Sequence, residues 1–179
     1  EEAGLLRVAE NLRKVACAAP DTFASALQLL WIITLIDSSY ITANPTLTLG
    51  RLDKILYPLY VADIESGKLT REQAADLITD YYCKHNLNMG RGEHQVGDES
   101  NTSTWGRIFN FDAPQYLLLC GTQGDGEPVC NELSQLFAEC IVPSFKNPVV
   151  VVRYFENMDK HAPLLWKTLS EKALESSAL

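Results

Sequence analysis

Hydrophobic residues recur at helical spacing through most of the chain. Between Leu5 and Ala16 they are three or four residues apart, which predicts an amphipathic helix that ends before Pro20. The stretch 23–36 is apolar on almost every side, so we expect a second helix, buried on most of its surface, with Asp21 as its N-cap. An extended passage is then predicted from Asn44 to Gly50, because the residue before a proline disfavours the helical region.

The next segment is also helical, with a proline inside it. The pattern runs from Leu52 to Ser66, and Pro58 predicts a kink or a new turn because proline lacks the amide that a helix interior needs. Gly67 suits a helix C-cap. Residues 70–73, TREQ, form a capping box, in which the Thr and Gln side chains each bond the other residue's amide. They predict a helix that continues to about Leu87.

Only two stretches have the pattern of a strand. Residues 116–120 suit a short strand buried on both faces, and residues 149–154 are β-branched and apolar on both faces, as in a covered sheet. Helices are predicted from Pro128 to about Ile141 and from Pro163 to Leu174. Two strands among six helices make a poor independent sheet. The fold class is therefore α/β, a mostly helical segment that forms one partial domain over residues 1–179.

Composition and charge argue against several classes of partner. The 179 residues are 46% hydrophobic and 21% charged, which is typical of a soluble globular chain. The net charge of -8 argues against nucleic acid or an anionic membrane as a partner, because both are bound through clustered Lys and Arg. The longest apolar stretch, 23–36, is too short and too interrupted to span a bilayer. The first residues carry no initiator Met and no targeting segment, so we expect the chain to start inside a longer polypeptide.

The cysteines predict neither a disulfide framework nor a zinc site, because their number is odd and none forms a C-x-x-C pair. We expect buried, reduced thiols in a cytoplasmic protein. Cys120, at the end of a predicted strand, is the one cysteine that merits a test as a nucleophile, although no base lies near it in sequence. The five are Cys17, Cys83, Cys120, Cys130 and Cys140.

The histidines offer little conventional chemistry. Glu93 and His94 lie in a long polar segment, Met89–Trp105, whose length is typical of a functional or mobile loop. As an adjacent pair they could act in acid–base catalysis, but a solvated loop pair is favoured. His85 and His161 fall in helical segments near charged residues, which predicts surface positions.

The segment CGTQGDGEPVCNELS, from Cys120 to Ser134, has the order strand, glycine-rich turn, helix. Its glycine spacing matches neither a dinucleotide fold nor a P-loop, and Glu127 would repel a phosphate at the helix N-terminus. Asp125 and Glu127 lack the regular oxygen ladder of an EF-hand calcium loop. The favoured interpretation is a tight turn whose glycines supply positive φ angles.

Four stretches, in order along the chain, look less generic. They are APDTFASALQLLW (19–31), TLGRLDKILYPLYVADIESGKLTREQAADLI (48–78), LLLCGTQGDGEPVCNELSQLF (117–137) and NPVVVVRYFEN (147–157). Together they resemble the glycyl radical enzyme family, the pyruvate formate-lyase-like group. Its members share P-x-T-F-x-E-A-L-Q, then G-R-x-D with L-Y-P-Y-Y and D-I-E-x-G-x-L-T-x-E-x-A. A G-G-x-x-x-D-G-x-x-x-x-N-E-L-S-x-L-F segment and a P-N-x-x-V-R-Y strand follow.

The resemblance implies a ten-stranded α/β barrel wrapped by helices, of which the two predicted strands would be staves. It implies radical chemistry, in which a separate activating enzyme, using S-adenosylmethionine and an iron–sulfur cluster, installs a radical on a glycine. That radical oxidises a cysteine, and the resulting thiyl radical abstracts hydrogen from a small-molecule substrate or attacks it. Family members are lyases, dehydratases and formate acetyltransferase-like enzymes, and the implied partners are the activating enzyme, the remainder of the parent polypeptide and a second copy in a homodimer.

This sequence departs from the family at its catalytic motifs. Neither G-C-x-E, which carries the thiyl cysteine, nor R-V-x-G-Y, which carries the radical glycine, occurs here. We therefore expect an internal portion of a longer enzyme, or a remnant, with no cofactor and no catalytic or metal-binding residue in this chain. The resemblance implies substrate contacts for Thr46 and for Phe109 or Phe111.

Two other functions stay open at this stage. A stand-alone binding or scaffold module derived from the same fold would melt cooperatively as a monodisperse protein, whereas a partial barrel would expose strand edges and self-associate. A hydrolase that uses Cys120 or the Glu93–His94 pair is the weaker alternative.

Overall fold

The computed structural model describes residues 2–37, 47–87 and 115–175. Within these ranges the chain forms eight helices and three strands. In chain order they are α1 (Glu2–Val15), α2 (Phe23–Ile36), β1 (Leu47–Arg51), α3 (Leu52–Ile55), α4 (Tyr57–Glu65), α5 (Arg71–Leu87), β2 (Gln115–Cys120), α6 (Glu132–Glu139), β3 (Val149–Arg153), α7 (Met158–His161) and α8 (Pro163–Glu175).

The N-cap of α2 is Thr22, so the prediction of Asp21 was wrong. Thr22 has extended backbone angles and accepts a 3.2 Å hydrogen bond from the Ser25 amide, while its own amide donates to Ser25 Oγ at 3.1 Å. This reciprocal capping box satisfies two amides that the helix leaves free. Asp21 instead pairs with Lys14 of α1 at 3.0 Å.

Helix α2 is buried mainly in its first half, and in its second half Thr34 alone is buried. Phe23, Ala26 and Leu27 lie in the core, but Ile33 is 54% exposed and Ile36 is 47% exposed. The expectation of a helix buried on most sides was therefore wrong for the second half. Helices α1, α4 and α5 pack against α2, and among the described residues nothing covers these two apolar side chains.

The helical predictions for the middle of the chain are confirmed. Pro58 lies in the first turn of α4, which begins at Tyr57 after a break at Leu56, and Gly67, with φ of 69°, follows the end of that helix. The capping box before α5 forms as predicted, since the Thr70 amide donates to Gln73 Oε1 at 2.9 Å and the Gln73 amide donates to Thr70 Oγ1 at 3.2 Å.

The sheet has three described strands, one more than the sequence predicted. They are parallel and ordered β1-β2-β3, with Thr48 opposite Tyr116 and Leu117 opposite Val150. The sequence pattern indicated extended backbone up to Gly50 but not a strand, because β1 is short and contains a glycine. A register shift between Thr48 and Gly50 marks an irregularity at this glycine.

Helices cover one face of this sheet. Leu117, Leu119 and Val150 point into the core and are at most 3% exposed. On the opposite face Val151 is 39% exposed. The prediction that β3 is covered on both faces therefore does not hold among the described residues.

The helix predicted to begin at Pro128 begins at Glu132 instead. Asn131 is its N-cap and accepts a 2.9 Å hydrogen bond from the Ser134 amide. Pro128 lies in a short antiparallel bridge opposite Thr122, so the chain folds back on itself before the helix starts.

The described helices include none that is both long and apolar enough to cross a membrane.

Candidate functional site

The candidate site lies at the carboxyl ends of β1 and β2. In open α/β structures ligands bind where the chain leaves the carboxyl ends of parallel strands. Here β1 leads directly into α3, and β2 leads into the turn 121–130 that precedes α6. Two of the stretches that resembled a family in sequence, 48–78 and 117–137, therefore meet at one edge of the sheet.

Asp53 joins these two stretches. Its side chain is fully buried, and Oδ2 accepts hydrogen bonds of 2.7 Å from both the Cys120 amide and the Ser134 hydroxyl. Oδ1 has no hydrogen-bond partner among the described residues. Burial raises the pKa of Asp53 above its ordinary value, and the hydrogen bonds from Cys120 and Ser134 oppose that rise.

Asn131 fixes the same contact from the other side. Its Nδ2 donates a 2.9 Å hydrogen bond to the Asp53 carbonyl, and its Oδ1 caps α6 through the Ser134 amide. The start of α6 is therefore attached to α3 through both the backbone and the side chain of Asp53.

Arg51, at the end of β1, holds the beginning of the turn. Its Nη1 donates to the Thr122 carbonyl at 2.9 Å and lies 3.5 Å from the Cys120 carbonyl. The guanidinium thus occupies backbone acceptors at the end of β2.

The turn itself uses its own polar groups. The amides of Gln123 and Gly126 donate to carbonyls within the turn at 2.8 and 3.1 Å, and the Glu127 amide donates to Asp125 Oδ1 at 3.1 Å. Gly121 and Gly126 have φ of 99° and 88°, which confirms the predicted role of glycine at these two positions. These amides and the Asp125 carboxylate therefore stabilise the turn.

Cys120 and Cys130 are brought together at the base of this turn. Cys120 is fully buried and has φ of 62°, whereas Cys130 is half-buried. The neighbouring Cys130 thiol and burial raise the pKa of Cys120, whereas the Cys120 thiol lowers the pKa of Cys130. Cys17 is exposed, so the expectation of buried thiols was wrong for that residue.

Cys130 also lines a cleft of about 510 Å³ between α6 and the segment that leads into α8. Arg71 and His161 lie on its wall, and Arg71 is paired with Glu139 at 2.6 Å. The cleft is lined by positively charged, negatively charged and apolar side chains, such as Arg71, Glu132 and Leu165.

His85 is fully buried, so the predicted surface position was wrong. It packs against Trp31 and Tyr81, and Nδ1 is hydrogen-bonded to the buried Gln115 side chain. Burial lowers the pKa of His85 to about 4, although the bond to Gln115 favours the charged form. His161 is exposed, as predicted.

The predicted substrate contacts Thr46, Phe109 and Phe111 lie outside the described residues, as does the 89–105 loop with Glu93 and His94.

Sequence reasoning missed the residues that do meet there. Asp53 lies in a helical stretch between the apolar residues Leu52 and Leu56. These neighbours could have predicted that its carboxylate is buried. The approach of Cys130 to Cys120 follows from a chain reversal where the sequence pattern predicted a simple strand-to-helix turn.

The chain as a whole matches a known protein family. The family model described as pyruvate formate lyase-like matches residues 1–166. Among curated relatives, the (2S)-3-sulfopropanediol dehydratase of Klebsiella oxytoca is 32% identical over 153 residues, which cover 84% of this chain and 17% of that protein. The trans-4-hydroxy-L-proline dehydratase of Clostridioides difficile is 33% identical over 136 residues, which cover 75% of this chain and 16% of that protein.

Solved structures agree. A glycyl radical enzyme from Archaeoglobus fulgidus has a TM-score of 0.73 at 25% identity, over 93% of this chain and 21% of that one. Hydroxyproline dehydratase from Clostridioides difficile has a TM-score of 0.73 at 24% identity, over 96% of this chain and 21% of that one, and so shares the fold. The chain spans about a sixth of the length of the two curated relatives.

Proposed function

The chain belongs to the pyruvate formate lyase-like family, and from this premise we propose that it forms an internal part of a glycyl radical lyase, a dehydratase or decarboxylase that acts on a small polar molecule. In this proposal the three parallel strands are staves of a ten-stranded α/β barrel. The remaining staves belong to the remainder of the parent polypeptide.

The uncovered face of the sheet carries the proposal. Parallel sheets occur almost only with both faces covered. Here Leu117 and Val150 pack under helices, while Leu118 is only partly buried and Val151 is 39% exposed on the opposite face. A face lined by such side chains suits the inside of a barrel that further strands complete.

In this proposal the hydrogen bonds of Asp53 hold the carboxyl end of β2 in position. Through Cys120 and Ser134 they tie the carboxyl end of β2 to α3 and α6. Active-site residues at the ends of barrel strands need a rigid support, because catalysis depends on geometry held to a fraction of an ångström. We assign that support to Asp53 and Arg51.

Substrate contacts are proposed for Thr46 and for Phe109 or Phe111, which the resemblance implies. A threonine hydroxyl suits a polar substrate because it can donate and accept a hydrogen bond. An aromatic side chain would enclose the substrate and exclude water. We further propose that the parent enzyme is cytoplasmic and forms a homodimer, as the resemblance implies.

The family's protein radical, when installed by its activating enzyme, supplies hydrogen abstraction from the substrate. Residues of this chain do not fit that role. Its sequence contains neither radical motif, and Cys120 is fully buried at the base of the turn. The chain's own residues position strands and bind substrate.

The test uses the full-length native protein with its activating enzyme and S-adenosylmethionine under anaerobic conditions. We expect a glycyl radical signal in electron spin resonance and elimination or decarboxylation of small hydroxylated or carboxylated substrates. The variant Thr46→Val should keep the radical signal but raise KM, since only substrate binding changes. Absence of the radical from a protein that folds would refute the proposal.

The relatives are enzymes, so they lend no support to the stand-alone scaffold module. Size-exclusion chromatography of the isolated 179-residue chain separates the two ideas. Self-association is expected for a partial barrel, because Val151, Ile33 and Ile36 are exposed. A monodisperse chain that melts cooperatively would favour the module.

A further inference from the structure

The turn between β2 and α6 places Cys120 and Cys130 directly opposite each other. Thr122 and Pro128 form an antiparallel bridge. The Gln123 amide bonds the Glu127 carbonyl on one side of this bridge, and the Val129 amide bonds the Gly121 carbonyl on the other, both at 2.8 Å. Continued by one residue, the same register pairs Cys120 with Cys130.

Facing positions on two antiparallel segments suit a disulfide. The register places Cys120 and Cys130 in a non-hydrogen-bonded position, where the Cα atoms of a regular antiparallel ladder lie roughly 4.5 Å apart. Here the positive φ angles of Cys120 (62°) and Gly121 (99°) bend the chain at this pair. Disulfides join Cα atoms about 4.4 to 6.8 Å apart. Asp53 also holds the two segments together, because its side chain accepts from the Cys120 amide at 2.7 Å and its carbonyl accepts from Asn131 Nδ2, next to Cys130, at 2.9 Å.

The two thiols differ in access and in ease of ionisation. Cys120 is fully buried behind the Asp53 contact, whereas Cys130 is half-buried on the wall of the cleft that also holds Arg71 and His161. The Cys120 thiol lowers the pKa of the Cys130 thiol, against the effects of burial and of Asp53. The thiolate is the nucleophile in thiol–disulfide exchange, so Cys130 is suited to react first.

We propose that Cys120 and Cys130 are a redox-active dithiol, which low-molecular-weight disulfides convert reversibly to an intramolecular disulfide. The Cys130 thiolate attacks one sulfur of the small disulfide, forms a mixed disulfide and releases one small thiolate. Cys120 then loses its proton and attacks Cys130 Sγ, which forms the protein disulfide and releases the second small thiolate. The protein loses two electrons and two protons, and the small disulfide is reduced to two thiols.

Other cysteines of the chain provide internal controls. Cys140 donates to the Ala75 carbonyl at 3.6 Å, and Cys17 is exposed near the end of α1. Neither lies opposite another cysteine in a ladder. The proposal involves no radical step, so it stands or falls separately from the proposed enzyme function.

The experiment is disulfide mapping of the folded full-length protein that contains this chain. The protein is equilibrated anaerobically with mixtures of oxidised and reduced glutathione, and free thiols are alkylated. Cleavage before Asp125 and after Glu132 then separates Cys120, Cys130 and Cys140 into different peptides. We expect one linked species, 112–124 joined to 125–132, that is two hydrogen atoms lighter than its parts and is separated by dithiothreitol.

Variants distinguish the two roles. In Cys120→Ser, glutathione should remain trapped on Cys130, because the resolving thiol is gone. In Cys130→Ser, Cys120 should stay unmodified, because it is buried; Cys17→Ser should form the linked species like the wild type. A folded wild-type protein in which Cys120 and Cys130 are alkylated or glutathionylated separately, with no linked species, would overturn the proposal.

Discussion

The Asp53 carboxylate accepts a 2.7 Å hydrogen bond from the Cys120 amide, 67 residues further along the chain. The same oxygen accepts from the Ser134 hydroxyl at 2.7 Å. One buried atom thereby connects α3, the end of β2 and the first turn of α6. Hydrogen bonds to charged groups contribute more than neutral ones, and a buried donor left without a partner is costly.

Asp53→Ala should therefore destabilise the protein strongly. We expect the free energy of unfolding to fall by about 2–4 kcal/mol, because the Cys120 amide and the Ser134 hydroxyl lose their acceptor while the cost of burying the carboxylate is recovered. Asp53→Asn keeps one oxygen and should lose less. Urea denaturation measures both changes.

The control is Asp76→Ala on the exposed side of α5. Asp76 makes no hydrogen bond or ion pair that the structure records, and exposed substitutions change stability by at most about 0.5 kcal/mol. Equal effects at Asp53 and Asp76 would show that the buried contact contributes nothing.

The glycines of the turn form a graded series. Alanine at Gly121 would meet Arg153 Cβ at 3.0 Å and take φ of 99°, whereas at Gly126 it would only take φ of 88° in open space. At Gly124 neither penalty exists. We expect losses of about 2–3 kcal/mol at Gly121, about 1–2 kcal/mol at Gly126 and close to zero at Gly124.

Thermal melts of these three alanine variants give the order directly. A Gly124→Ala variant as unstable as Gly121→Ala would mean that the turn has a different backbone from the one described.

Local sequence signals predicted the parts of the fold that local physics determines. The Thr70–Gln73 capping box, the Pro58 break and Gly67 each depend on residues within one turn of helix, and all three are as predicted. The predicted helix start at Pro128 was wrong because proline suits both the first turn of a helix and a bridge position. Only the contact with Thr122 decides between the two.

The candidate site could not be predicted in the same way. Asp53, Cys120 and Ser134 converge only when the parallel pairing of β1 and β2 is known, and β1 is too short to be recognised from its own residues. A surface position was predicted for His85 because the charged residue Lys84 precedes it. Consecutive residues of a helix point in different directions, however, and the face of α5 that carries His85 packs against Gln115 of β2.

Neighbouring tyrosines on α5 should respond oppositely to loss of the hydroxyl. Tyr82 donates a buried 3.1 Å hydrogen bond to the Phe137 carbonyl of α6. The Tyr81 hydroxyl is equally buried but has no hydrogen-bond partner among the described residues. Tyr82→Phe should cost about 1–2 kcal/mol, whereas Tyr81→Phe should be neutral or stabilise by up to about 1 kcal/mol.

Paired urea titrations of the two phenylalanine variants measure this difference. Comparable losses in both would indicate that Tyr81 has a partner of its own.

The burial of His85 should make folding sensitive to mild acid. Its pKa falls from 6.5 to about 4 in the folded state because burial disfavours the imidazolium. The unfolded chain therefore binds a proton first as the pH falls, so the stability due to neutral His85 is complete above pH 6.5 and is lost as the pH drops towards 4. The loss between pH 7 and pH 4 is about 3 kcal/mol.

His85→Gln removes this titration and should flatten the pH dependence by that amount. The matched control is His161→Gln, since His161 is exposed and its ring packs against Phe155. It should keep the wild-type dependence, because the His85 site is intact. Unfolding free energies at pH 7 and pH 4 provide the comparison, and a wild-type slope in His85→Gln would assign the acid sensitivity to other groups.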